Sequence, residues 1–321
     1  MLTAATKFLK TARRNFRLRK QIRLEGNQIK REFELDKDRY LRHSTPKDSL
    51  YQAAKLEHEF RTQIDRDVHR VEKGLALRNP KRPFGKDLLI RLQFLLAKLP
   101  SKNSNLRTSL QGAIDDLTEW NSGSGPSENS APQYAEYKIP ENFDLQKFFW
   151  SRKSLRVFSD RPVDRELISQ AVDLARNTPS VCNRQSWQVY AIDQSELLEA
   201  VLPLQNGNES FRSEIKMALV ITSDLNKFSG AGERNQVWID GGLFSMSLAW
   251  ALHGLGLGTC MLNWSVLNSQ SERLRQKLHM PDNEEVMMLM AVGHPETNIR
   301  FAKSEKKLGE EILIWPTPQM D

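Results

Sequence analysis

Cysteine is nearly absent from this 321-residue chain, which contains only Cys182 and Cys260. So few cysteines exclude a disulfide-stapled scaffold and favour a reducing compartment, so we expect the cytoplasm. No run of about 18 apolar residues occurs, so no transmembrane helix is predicted, and the N-terminus lacks the apolar core of a secretory signal. Histidines, cysteines and carboxylates do not stand at metal-ligand spacing, so we predict no metal site.

The net charge of +7 is concentrated at one end of the chain. Residues 1–31 contain ten lysines and arginines against a single acid, Glu25, and the remaining 290 residues are close to neutral. A basic arm on a neutral body does not indicate specific nucleic-acid binding by the whole protein.

The basic arm, residues 1–44, has the pattern of an amphipathic helix. Leu18, Ile22, Ile29 and Phe33 recur at spacings of four and seven, which places them on one helical face. Three interpretations stay open: a helix packed against a second copy of the chain, an arm that binds an anionic membrane surface or nucleic acid, and an organelle transit peptide.

Residues 48–120 predict further helices, at 50–73, 86–99 and about 105–120, with Gly74 as a C-cap. His69 and Glu72 share a helical face, where a hydrogen bond is expected. Residues 121–139 are rich in Gly, Ser, Pro and Asn and predict a flexible linker. We therefore expect a helical N-terminal region (1–120), the linker (121–139) and a second domain (140–321).

The second domain alternates between helix and strand patterns without strict βα order, which predicts an α+β fold. Helices are expected at 166–176 and 238–255. Strands are expected at 188–193, 217–222, 258–264, 285–293 and 311–315.

Two polar segments and a glycine-rich turn carry the candidate chemistry. Arg152, Lys153, Ser154 and Arg156 cluster in SRKSLRVF, and cations beside a hydroxyl suit a phosphate or another anion. A polar loop, TPSVCNRQSW at 178–187, follows the next helix. GLGLGTC at 254–260 leaves a helix and enters a strand, the reverse of a dinucleotide fingerprint, so a Rossmann fold is rejected.

Taken in order, these pieces resemble the nitroreductase family of flavin mononucleotide (FMN) enzymes. The resemblance rests on RxSxR, PSxxNxQxW, a central DGG helix, GLGTC, a late basic cluster and a terminal strand, and it covers residues 145–315. The motif HRVEKGL at 69–75 further resembles a bacterial branch that has an N-terminal helical region and is found near polysaccharide-synthesis genes. The resemblance implies a three-layer α+β fold with a central mixed sheet and a homodimer with shared flavin sites.

The resemblance also implies roles for individual residues. Arg152, Lys153 and Ser154 would hold the flavin phosphate and ribityl chain, and Arg156 would stabilise the charge of the reduced ring. The loop would reach the flavin of the partner through Pro179, Ser180, Asn183 and Gln185. The remaining implied contacts are the amides near flavin N5 and the late phosphate ligands: Cys260, Met261, Leu262, Asn263, Lys306 and Lys307.

Two departures from the family pattern affect these expectations. Ser186 stands where the family commonly has proline, which predicts a looser entry from the loop into the next strand. Lysines replace arginines in the late cluster, so a phosphate there would be contacted by a compact ammonium charge and not by the paired N–H donors of a guanidinium. His253 is expected to be a core or interface residue, and Cys182 a small filler, with a reactive thiol as the alternative.

The function implied is an FMN-dependent oxidoreductase that takes hydride from NADH or NADPH and reduces an electron-poor small molecule by a ping-pong mechanism. A nitro compound or a quinone would suit an open flavin face. The alternative is a flavin-binding or flavin-lost accessory protein of a membrane-associated assembly, docked through the basic arm. The residues themselves define neither the physiological acceptor nor the choice between NADH and NADPH.

Overall fold

The structure is a computed structural model of the full chain. It describes residues 2–44, 57–100, 104–125, 127–131, 143–297, 299–302 and 306–317, with side chains of the first helix from residue 20 onward. The predicted linker is therefore described in part, and its boundaries and those of the two domains stay predictions.

The described residues form helices and a four-stranded sheet. The N-terminal helices are α1 (Leu2–His43), α2 (Glu57–Leu75), α3 (Lys86–Lys98) and α4 (Ser104–Ser122). The helices that follow are α5 (Leu145–Ser151), α6 (Arg165–Ala175), α7 (Ser195–Val201), α8 (Gln236–Gly254), α9 (Asn268–Leu278) and α10 (Gly309–Ile312). The strands are β1 (Trp187–Ile192), β2 (Met217–Asp224), β3 (Gly258–Asn263) and β4 (Glu284–Gly293).

The sheet has the order β1-β2-β4-β3, and each pair of neighbouring strands is antiparallel. Among the described residues, the mixed pairing that was expected is limited to one parallel bridge, between Ser154 and Thr259 on the outer side of β3. A hydrogen bond from the amide of Leu155 to the carbonyl of Thr259, 2.9 Å long, fixes this contact. The segment after α5 therefore runs beside the strand that begins at the glycine-rich turn.

Helices cover both faces of the sheet, which confirms the α+β class. Leu219 and Ile221 of β2 pack with α6 and α8 in one buried cluster. Ala218 and Val220, which alternate with them, pack with α7 and α9 in a second cluster. Since successive strand residues point to opposite faces, an apolar run such as MALVIT is buried on both sides.

Helices α2, α3 and α4 have a separate apolar core. Val71, Leu92 and Leu117 are fully buried in it. The predicted hydrogen bond of His69 is confirmed, with 3.3 Å between Nδ1 and Oε2 of Glu72. Gly74 lies inside α2 and is not its cap: a Cβ at this position would lie 2.7 Å from Cζ of Phe84. Close packing explains this glycine.

The C-terminal part of α1 is anchored to the second domain. Arg39 is buried, donates to the carbonyl of Asp282, and lies 2.8 Å from the carboxylate of Glu285. Glu32 accepts the backbone amide of Asn268, at the start of α9, over 2.8 Å. Ile22, Ile29 and Phe33 are exposed on the arm, and the side chain of Leu18 lies outside the described residues.

The expected last strand, 311–315, is wrong. Residues 309–312 form α10, and Leu313 to Trp315 are exposed, Trp315 by 81%. A strand needs a hydrogen-bonded neighbour, and the apolar run EILIW has none among the described residues. Helices α5, α7 and α9 were not expected from the sequence.

Candidate functional site

A cleft of about 460 Å³ lies where the basic segment meets the glycine-rich turn. Arg152, Lys153 and Leu155 line it from one side, and Gly256 to Thr259 from the other. The guanidinium of Arg152 lies 5.6 Å from the ring centre of Trp250, and the ammonium of Lys153 lies 5.4 Å from that of Phe301. Two cations therefore share one concave site and are braced by aromatic rings.

Two glycines shape the floor of this cleft. Gly256 has φ of 79°, in the left-handed region that glycine adopts at little cost. A Cβ on Gly258 would lie 2.6 Å from Cδ1 of Leu155. The first glycine permits the turn out of α8, and the second permits the basic segment to approach β3.

His253 also lines the cleft, which the sequence did not predict. Its Nε2 lies 2.7 Å from the hydroxyl of Ser151, and its ring contacts Phe148. Burial, and then the charge of Arg152, lower the pKa of His253. The imidazole is therefore neutral at pH 7, and its Nε2 can either donate a hydrogen bond to the hydroxyl of Ser151 or accept one from it, depending on the tautomer.

The polar loop after α6 is held in a strained conformation. Cys182, Asn183 and Gln185 all have φ near 50°, which residues other than glycine seldom adopt. The hydroxyl of Ser180 accepts the amide of Gln185 over 3.0 Å. Asn183 and Gln185 are exposed as a result, and they line a second cleft with the start of α2.

Two buried charged residues hold this loop from below. Asp240 of α8 accepts the amide of Val181 over 3.1 Å, and burial raises the pKa of its carboxyl. The side chain of Arg184 is fully buried, donates to the carbonyl of Val181, and forms an ion pair with Glu233 at 2.7 Å. Strain of this kind persists when the surroundings over-determine it, and it is common at functional sites.

The prediction of a loose loop exit at Ser186 is wrong. Ser186 is 1% exposed, and its hydroxyl lies 2.7 Å from that of Ser223. Its carbonyl accepts the amide of Asp224 over 2.8 Å. These contacts attach the start of β1 to β2. The hydroxyl of Ser186 therefore restrains the end of the loop by hydrogen bonding, whereas a proline at this position would restrain it by fixing its own φ angle.

The remaining sequence-predicted residues do not line this cleft. Arg156 is exposed and lies near Cys260. Its guanidinium is 5.9 Å from the ring centre of Phe211. Burial raises the pKa of the Cys260 thiol, and the nearby charge of Arg156 opposes this. Strand β3 contains Met261, Leu262 and Asn263, and Ser154 pairs with its outer edge. The polar loop contains Pro179 and Ser180. In the C-terminal segment, Lys306 and Lys307 are exposed.

An apolar strip runs along the exposed face of α8. Trp238, Ile239 and Leu243 are each about half exposed. Phe149 of α5 packs against Trp250 at the far end of α8, with ring centres 4.5 Å apart and ring planes tilted by 46°. Large exposed apolar side chains on one helix are typical of a surface that another protein covers.

Comparison with known proteins points to one family. Residues 150–210 and 204–294 match the model of the nitroreductase family. A 4-nitrobenzoate reductase of Pseudomonas putida is 24% identical over 207 residues, covering 48% of this chain and 87% of the relative. The iodotyrosine deiodinase of Danio rerio is 21% identical over 211 residues, covering 56% of this chain and 70% of the relative.

Among solved structures, an FMN-dependent nitroreductase from Clostridium difficile R20291 aligns with a TM-score of 0.45 and 21% identity. The alignment covers 54% of this chain and 99% of that one. In the part of the chain that the structure describes, no helix is long and apolar enough to cross a membrane. Clusters of three potential metal ligands are likewise absent from the described residues.

Proposed function

Because the match to the nitroreductase family model spans residues 150–294, we propose that this chain is an FMN-dependent oxidoreductase. It uses NADH or NADPH as donor and an electron-poor small molecule as acceptor. The observation that carries the proposal is the cleft in which Arg152 and Lys153 face the turn from Gly256 to Thr259.

The donor set of the cleft fits the phosphate end of FMN. A guanidinium offers paired N–H donors, an ammonium offers a compact charge, and both suit a phosphate. Ser154 adds a hydroxyl on the same segment, and the glycine turn leaves backbone close to the ligand. The exposed Lys306 and Lys307 are assigned to the same phosphate as point charges from the C-terminal segment.

FMN, when bound, supplies the hydride transfer between donor and acceptor. The chain's own residues then hold and polarise it. Arg156 is assigned to the ring end, because a fixed cation stabilises negative charge that develops there. The strand from Cys260 to Asn263 is assigned to the ring edge, where its backbone amides would donate hydrogen bonds.

We further propose a homodimer in which each site is completed by the loop of the other protomer. The strained loop exposes Asn183 and Gln185, and these two residues line a different cleft from the one that contains Arg152. The apolar strip of α8 provides a surface for the second copy, and the exposed segment from Ile312 to Trp315 provides another. Loop and cleft would then meet across the interface.

The acceptor class is an electron-poor aromatic compound or a quinone. The named relatives differ in substrate, a nitrobenzoate in one and an iodotyrosine in the other, so the family match alone defines a class and not a compound. Both names refer to substituted aromatic compounds.

Steady-state kinetics test the proposal. The FMN-saturated protein should oxidise NADH or NADPH only when a nitroaromatic or quinone acceptor is present under anaerobic conditions. Double-reciprocal plots at several acceptor concentrations should be parallel, because a ping-pong mechanism releases the oxidised donor before the acceptor binds. Flavin-loaded protein without acceptor-dependent oxidation would refute the activity, and intersecting lines would refute the ping-pong order.

A further inference from the structure

A second concentration of positive charge lies on α2, away from the cleft assigned to FMN phosphate. The charges are those of Arg66, Arg70 and Lys73, which follow the spacing i, i+4, i+7 and occupy one helical face together with His69. The opposite face, with Val68 and Val71, is buried in the core of the N-terminal helices.

These four residues line a cleft of about 400 Å³ between α2 and the second domain. Across from them lie Cys182, Ser229, Gly232 and Glu233. Cys182 belongs to the strained loop that we assign to the partner's flavin. The cleft is therefore a pocket of small-molecule size beside the proposed reaction site.

The single acid of this cleft is already neutralised. Both carboxylate oxygens of Glu233 accept from Arg184, over 2.7 and 2.9 Å. Burial raises the pKa of Glu233, but the hydrogen bonds and charge of Arg184 outweigh it and lower that pKa overall. Glu233 is thus ionised and already paired with Arg184. Of the other residues that line this cleft, Arg66 and Lys73 have no ion-pair partner among the described residues, whereas Arg70 pairs with Asp67.

The contacts of the basic residues leave donors for a ligand. Arg66 donates to the hydroxyl of Ser229 over 2.6 Å. Arg70 lies 3.2 Å from Asp67, a carboxylate that Arg91 already engages at 3.0 Å. Lys73 is exposed at the rim.

We infer that this cleft binds the phosphate or carboxylate group of a small molecule. Its position beside Cys182 makes that molecule a substrate of the oxidoreductase, either a phosphorylated donor or an acidic acceptor. This substrate role rests on the proposed function, whereas binding of the anionic group does not.

Calorimetric titration of pyrophosphate into the full-length protein saturated with FMN tests the binding. The variant Arg70→Gln/Lys73→Gln should bind pyrophosphate about tenfold or more weakly, since two charge-assisted contacts are removed. The control Arg78→Gln/Lys86→Gln removes the same charge from exposed positions outside the cleft and should bind like the wild type. Equal affinity in all three proteins, or no binding to the wild type, overturns the inference.

Alkylation gives a second readout that does not depend on activity. Cys260 is buried and Cys182 lines the cleft, so iodoacetamide should label Cys182 first. Pyrophosphate should slow this labelling severalfold in the wild type and the control, and less in Arg70→Gln/Lys73→Gln. Labelling at the same rate with and without pyrophosphate contradicts a site at this cleft.

Two substrate pairs distinguish the source of the anion. NADPH differs from NADH by one phosphate, and nitrobenzoate differs from nitrobenzamide by one charge. The double variant should lower kcat/KM about tenfold for the more highly charged member of one pair, NADPH or nitrobenzoate, and leave the other member of that pair unchanged. Unchanged ratios in both pairs overturn the substrate role. If the protein shows no turnover at all, the proposed function fails, and the titration still decides the anion site.

Discussion

Two side chains, Arg152 and Lys153, carry most of the argument for a flavin phosphate. Both line the same cleft, and each lies over an aromatic ring that limits its motion. Such bracing pre-organises the cations, so that less conformational entropy is lost when an anion binds.

Arg152→Gln or Lys153→Gln should each weaken FMN binding about 10- to 100-fold, because one hydrogen bond to a charged group contributes about 1.5–3 kcal/mol. Fluorescence quenching on titration with FMN measures the Kd. Lys147→Gln, an exposed change on neighbouring α5 outside the cleft, is the matched control. An equal loss in the control, or unchanged affinity in both cleft variants, would argue against this phosphate site.

Residue-scale prediction from the sequence succeeded where the chemistry is local. Arg152 and Lys153 are adjacent, so their cluster was visible in the chain. His253 was missed because its role depends on Ser151, which lies 102 positions away. Ser186 was misjudged for the same reason, since its partner Ser223 belongs to a strand whose pairing a family pattern does not specify.

At the scale of elements, α2 depends on a glycine that allows close packing. Gly74→Ala should lower the free energy of unfolding by about 1–3 kcal/mol, because the added methyl group would overlap the ring of Phe84. Denaturant unfolding of this variant and of the control Gly112→Ala measures the change in the free energy of unfolding. Gly112→Ala in α4 meets nothing within 4 Å and should stabilise by about 0.5–1 kcal/mol. The same sign in both variants would contradict the packing argument.

Helix α1 is anchored to α9 through an ionised Glu32. The backbone hydrogen bond of Asn268, followed by its side-chain hydrogen bond, lowers the pKa of Glu32 from the ordinary 4.5. Because the pKa of Glu32 is lower in the folded protein than in the unfolded chain, its ionised carboxylate stabilises the fold at pH values above the unfolded-state pKa. This stabilisation is lost as the pH falls through the folded-state pKa.

Glu32→Gln should therefore reduce Tm at pH 7, and the difference from the wild type should shrink as pH falls below about 4.5. Calorimetric scans from pH 3 to 7 provide the comparison. Glu25→Gln, exposed on the same helix, is the control and should show little difference at any pH. A Glu32→Gln deficit that stayed constant with pH would exclude the ionised anchor.

Element prediction followed the strength of the local pattern. MALVIT was assigned to a strand and forms one, because β2 has neighbours on both sides. EILIW has a similar composition but no strand beside it among the described residues, and pairing, not propensity, decides strand formation. Helices α5 and α7 are seven residues each, too short for a clear helical period.

For the whole molecule, the proposed dimer makes flavin binding depend on association. Leu243→Glu should shift the protein to monomer and weaken FMN binding, because a charge on the apolar strip of α8 opposes burial. Sedimentation equilibrium with and without FMN measures both effects. Leu77→Glu makes the same change at an exposed position away from α8. A Leu243→Glu protein that was monomeric and still bound FMN like the wild type would disprove shared sites.

The visible absorption spectrum of FMN-saturated, desalted full-length protein tests the central claim most directly. We expect a flavin spectrum that persists after desalting and bleaches when NADH or NADPH is added without oxygen. Protein that retains no flavin would contradict the assignment of the Arg152 and Lys153 cleft. Protein that retains flavin but is reduced by neither nucleotide would contradict the proposed oxidoreductase while leaving the cofactor site intact.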